Sequence, residues 1–136
     1  MDDLLRLAEK CEAADEASQG RLLEEAWEAM AEHSSAFRRF ATSFVRGFDN
    51  QAGKFAMALE ACAYESAAMM LVPEGDEHWP QIAFIGRNPN DPEKDKFRAE
   101  IWIKGKRGAL RSNANSLALA ITAASLRARA SIGKGE

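Results

Sequence analysis

The sequence predicts one α+β domain, with helices packed around a small antiparallel sheet and a helical hairpin at the N-terminal end. Three observations carry that expectation. Apolar residues recur at helical spacing as far as Leu71, the segment FRAEIWIK alternates between apolar and polar, and an alanine-rich run near the C-terminal end is apolar on nearly every side. At 136 residues the chain fits a single domain, 1–136, long enough to bury a core without disulfides or a metal. Its 46% hydrophobic and 29% charged residues are ordinary for a globular protein and argue against disordered, collagen-like or coiled-coil classes.

Residues 1–33 read as an acidic helical hairpin. Leu4, Leu7, Ala8 and Cys11 share one helical face, as do Leu22, Leu23, Ala26, Trp27 and Met30, and Gly20 with the polar residues before it marks the turn between them. Glu24, Glu25 and Glu28 suit the dipole near the start of the second helix. Residues 34–136 then form the α+β core. After the capping serines of HSS, a third stripe runs through Phe37, Phe40, Ala41, Phe44, Val45 and Phe48, leaving Arg38, Arg39 and Arg46 as a solvated basic edge. GFDNQAG breaks the pattern, and one helix from Lys54 to Leu71 is expected to end before Pro73.

PEGDEHWP follows as a loop bounded by prolines, and two strands come next, QIAFIG and FRAEIWIK, in a hairpin over 81–106 with a long polar connection. In the second strand Phe97, Ala99, Ile101 and Ile103 fall on one side and Arg98, Glu100, Trp102 and Lys104 on the other. The closing helix is placed at 113–130. Its run from Leu117 to Ala130 has the all-round apolar character of a helix buried against several neighbours. Ser112, Asn113 and Asn115 offer caps at its start, Arg127 and Arg129 fall in its last turn, and the tail IGKGE is expected to fray.

The net charge of −3 hides a strong polarity. Residues 1–33 carry ten acidic and three basic side chains, whereas residues 94–136 carry ten basic and three acidic ones. Such a split suits self-complementarity within the fold or between copies, as in a homodimer, or a basic face for an anionic partner. Cys11 and Cys62 lie in helical apolar patterns without ligand spacing and read as reduced core thiols. Asp2 and Asp3 stand where a signal peptide would be basic, and no apolar run reaches membrane-spanning length. A cytoplasmic location without membrane contact is expected.

Two stretches, AMMLVPEG (Ala68–Gly75) and SLALAITAASLRARA (Ser116–Ala130), flank the hairpin. In that arrangement the chain resembles small phage and prophage proteins of the phage ABA-sandwich type. LLRLAEKCEAADEASQGRLLEEAW is also similar to the short helical hairpin with which many members begin. The resemblance spans roughly the first thirty residues and the last seventy. It departs where members often carry Thr-Pro before the closing helix, here Ala114 and Asn115, and where Trp79 alone replaces an aromatic pair; Phe37–Phe48 has no counterpart. The resemblance implies helices around a short antiparallel sheet and a phage origin, hence a host-cell cytoplasm. It supplies no catalytic residues, and it implies a non-enzymatic accessory role: binding a host macromolecule, such as a host defence protein to be inhibited, or sequestering a nucleotide signal.

The residues themselves favour no catalytic constellation. His33 and His78 share no helical face, Glu60 and Glu65 are five apart, and Glu74, Asp76, Glu77 and His78 read as a solvated acidic loop, so no metal or cofactor is expected. The exception is IWIKGKRGALRSNANSLALA. GKRG lacks the remainder of a Walker pattern. Even so, Lys104, Lys106, Arg107 and Arg111 surround two glycines ahead of an expected helix N-terminus, whose free N–H groups favour anions. Arg98, Trp102 and Asn113 complete a candidate binding set, with Trp102 able to stack on a flat ring or on Arg98. Two ligands fit it: a host protein or protein complex, or a nucleotide-like anion at the basic turn 104–115. The opposing expectation buries Trp102 under a helix and leaves the basic residues to solvent.

Overall fold

The computed structural model describes residues 2–72, 81–87, 96–103 and 108–134. Its organising element is the last helix in chain order. In that order the helices are α1 (Asp2–Ala13), α2 (Gln19–His33), α3 (Ser35–Thr42), α4 (Gln51–Glu60), α5 (Tyr64–Met69) and α6 (Leu117–Lys134); the strands are β1 (Gln81–Arg87), β2 (Phe97–Trp102) and β3 (Ala109–Ala114). Helix α6 packs against α1, α2, α5 and all three strands. Its all-round apolar sequence is the reason: Ala118, Leu119, Ala120, Ile121, Ala123, Ala124, Leu126 and Ala128 are all buried, and the small side chains let neighbouring backbones approach. Thr122 and Ser125, also buried, satisfy their hydroxyls on the carbonyls of Ala118 and Ile121 one turn back.

Around this axis the chain builds an α+β domain. The expected N-terminal hairpin is present as α1 and α2, joined by a 3-10 turn at Glu16–Ser18. Gly20, placed by sequence in the turn, instead lies in the first turn of α2, where an added Cβ would stand 3.2 Å from the Tyr64 ring. The serine cap is borne out: Ser34 Oγ accepts from the Phe37 amide at 3.1 Å and starts α3. Arg38 is exposed, as expected of a basic edge, but it also donates to the terminal carbonyls of α2, Ala31 at 2.6 Å and Glu32 at 3.1 Å.

Two expectations about the middle of the chain are corrected. The third aromatic stripe ends as a helix at Thr42, and Val45 to Phe48 form a tight turn bridged by Phe48 N–H to Val45 O at 2.9 Å, with Gly47 at φ 89°. The expected single helix from Lys54 to Leu71 is two helices, because the chain reverses at Cys62, which takes φ 58°. There the Ala63 amide reaches back to Ala58 O at 2.8 Å and the Cys62 amide to Leu59 O at 3.0 Å. That pair of bonds is the Schellman helix ending, with cysteine in the position usually held by glycine. Cys11 is buried, but Cys62 is exposed and is not a core thiol.

The sheet also differs from the hairpin expected. It has three antiparallel strands in the order β1-β2-β3, with a bulge in β1 between Ile82 and Phe84. Residues 109–114, read as the approach to the closing helix, are the third strand, so α6 begins at Leu117 and not at 113. Its cap is Ser116, whose Oγ accepts from the Leu119 amide at 3.1 Å and donates to Gln19 of α2 at 3.0 Å. Asn115 serves elsewhere, donating to Ala14 O at 2.7 Å and so tying the end of β3 to the end of α1. The helix also runs past Ala130 to Lys134, with Ile132 buried, so Arg127 and Arg129 lie inside it. No helix among the described residues is long and apolar enough to cross a membrane.

Candidate interaction face

Strand β2 divides its side chains as the alternation predicts. Ala99, Ile101 and Ile103 are each about 1% exposed, on the side where α6 crosses the sheet. Arg98, Glu100 and Trp102 take the other side. Register then brings β3 residues beside them: Asn113 opposite Arg98, Arg111 opposite Glu100 and Ala109 opposite Trp102. Four of the seven candidate residues, Arg98, Trp102, Arg111 and Asn113, therefore share one face. Lys104, Lys106 and Arg107 lie outside the described residues, as do Glu74, Asp76, Glu77, His78 and Trp79. Gly108, at φ 70°, supplies the left-handed residue that leads back into β3.

The face is graded along the strand. At one end Arg98 is buried and its Nε donates to Asn113 Oδ1 at 3.1 Å. In the middle Arg111 Nε donates to Glu100 Oε1 at 2.7 Å across the strands. At the other end Trp102 is 37% exposed beside the small Ala109. Of the five N–H donors on an arginine, the Glu100 bond takes the one on Nε of Arg111. A guanidinium held by Glu100 and a flat aromatic ring thus stand two register pairs apart, as neighbours on the same face. Such an arrangement can bind a carboxylate and an apolar group together, with little side-chain ordering still to be lost.

The expectation that Trp102 lies under a helix is overturned by its exposure. The helix N-terminus expected close behind the basic residues is corrected as well: strand β3 comes first, and the α6 N-terminus is capped by Ser116 against α2. Sequence reasoning placed Glu100 on this face but gave it no role. The pairing of its charge with Arg111 becomes visible once residues 109–114 are read as a strand paired with β2.

A separate cleft of about 440 Å³ lies where α2, α5 and α6 meet, lined among others by Glu16, Cys62, Tyr64, Glu65 and Ser116. In it the Tyr64 hydroxyl donates to Cys62 Sγ at 3.6 Å. Among the described residues no group of three or more histidine, cysteine or carboxylate side chains is placed to hold a metal.

Fold and face together define an α+β domain whose sheet carries its principal helix on one side and a mixed aromatic and charged surface on the other. No known protein family, curated protein or solved structure matches the chain.

Proposed function

We propose that this chain is a non-enzymatic accessory protein of the kind phages encode, acting in the host cell by binding an acidic, partly apolar surface of a host protein through the Trp102–Arg111 end of its sheet. One observation carries the reading. A tryptophan 37% exposed and an arginine held by a cross-strand carboxylate are displayed on the side away from α6. Tryptophan and arginine are the residues that most often dominate protein–protein contacts. The balance of ten basic to three acidic side chains over residues 94–136 supports an acidic partner, since complementary charge steers association. Inhibition of a host defence protein is the narrower form of the same reading.

The test is capture from host lysate by the wild-type chain and by a Trp102→Ala, Arg111→Glu double variant. Wild type should retain a defined protein that the variant loses, and the identity of that protein tests the narrower form. Equal recovery by both would discard this face. A nucleotide panel read by thermal shift should leave the melting temperature unchanged. A rise at millimolar nucleotide would favour the competing reading, capture of a nucleotide-like anion at the turn, through the linkage of binding to stability.

A further inference from the structure

A second surface, sharing no residue with the first, is built around α4. Phe44 is 79% exposed, the most exposed of the large hydrophobic side chains described. Its loop is held at both ends. Ser43 Oγ and Ser43 N–H both donate to Phe40 O, at 2.6 and 3.0 Å, and the Gln51 amide donates to Ser43 O at 3.1 Å. Between them the Val45–Phe48 turn places Gly47, at φ 89°, where a type II turn requires a left-handed residue. Arg46 is exposed at the tip of that turn, and Arg39 is exposed on α3. The result is a fixed aromatic finger with basic flanks, and fixing an anchor beforehand removes much of the ordering cost of binding.

The loop runs directly into α4, and α4 forms one wall of a groove against α2 of about 770 Å³. The floor includes Trp27, Phe55 and Leu59, with Trp27 stacked on Phe55 at 4.3 Å between ring centroids. The rim carries Glu24, Glu28 and Glu60 against the single cation Arg21. An apolar floor inside an acidic rim is the counterpart of an aromatic finger with basic flanks. Met57, 54% exposed on α4, adds apolar surface on the side of the turn, where it lines a shallow hollow with Gly47 and Phe48. Large exposed apolar groups concentrated on one region mark contact surfaces.

We propose that two copies of this chain associate through α4, the Phe44 finger of each seating in the α2–α4 groove of the other. Because finger and groove both border α4, one two-fold arrangement uses both complementary pairs at once, as isologous dimers do.

The test is sedimentation equilibrium over micromolar to sub-millimolar concentrations at low and high salt. Wild type should show a monomer–dimer equilibrium weakened by salt. Phe44→Ala removes the finger and Ala56→Arg fills the groove from an exposed position on α4; each should weaken association about tenfold or more, as loss of a central anchor does. Their thermal unfolding should stay close to wild type, since both positions face solvent. An equimolar mixture of the two variants should associate more tightly than either alone, because one copy keeps its finger and the other its groove. Trp102→Ala should leave association unchanged, which keeps this proposal separable from the functional reading. A wild-type monomer throughout, a dimer insensitive to both substitutions, or a mixture no better than its components would overturn it.

Discussion

Cys62 occupies a conformation that disfavours any side chain with a Cβ. At φ 58° it is the left-handed residue of the helix ending after α4, where an L residue costs about 1–2 kcal/mol relative to glycine. It is exposed, so little packing opposes its removal. Cys62→Gly should therefore stabilise the protein by about 1 kcal/mol, read as a higher denaturant midpoint with an unchanged slope. An unchanged or lowered midpoint would mean that the contact with Tyr64 outweighs the strain. Cys11 differs in every respect. Its thiol is pushed from 9.0 up to about 12, chiefly by burial, with Glu25 and Glu12 contributing to the rise and Lys10 opposing it. Unfolded chains ionise this thiol first, so between about pH 9 and 12 the unfolded state binds fewer protons and stability falls as pH rises. The slope from this one group approaches about 1.4 kcal/mol per pH unit. Cys11→Ala should flatten the alkaline limb of a stability profile, and an unaltered limb would assign it to other groups.

Among the elements, α6 is the most constrained. Ala120, Ala123, Ala124 and Ala128 are fully buried, and the helix meets helices and strands on different sides. Ala124→Leu has no free side to expand into and should destabilise by about 1–3 kcal/mol, the usual penalty of overpacking, measured by chemical denaturation. A loss below about 0.5 kcal/mol, the range of surface substitutions, would mean that the core relaxes there. The same buried helix was legible in the sequence because a run of that length, apolar on nearly every side, is enough to recognise it. Strand β3 was not. Its inward residues Ser112 and Ala114 are small, its outward Arg111 and Asn113 are polar, and serine and asparagine ahead of an apolar run resemble helix caps. Nor was the break between α4 and α5 legible, since helix formers flank Cys62 and neither glycine nor proline announces the turn. For the candidate face, strand alternation alone placed Arg98, Glu100 and Trp102 together. Joining Arg111 and Asn113 to them required the register of a strand that the pattern concealed.

At the scale of the whole molecule, the charge polarity of the sequence is only partly consumed inside the fold. Arg127 of α6 is clasped by Glu12 of α1 through its Nη2, and Arg129 donates to Ser34 at 3.3 Å, so these two cations serve internal cohesion. The acidic hairpin thus packs on α6 and meets the sheet at β3, while Trp102 and Arg111 keep their exposure on the far side. Neutralisation is local, and at the Trp102 end the outer face of the sheet stays exposed. The position of α6 in the chain has a temporal consequence. Glu12 and Arg127 are 115 residues apart, and α1, α2 and α5 each lack a main packing partner until the last helix exists. During synthesis the earlier segments leave the ribosome as unfinished walls with no keystone, and they gain their shared core only when α6 emerges. Closure over so long a separation is expected to make folding slower than local helix pairing alone would.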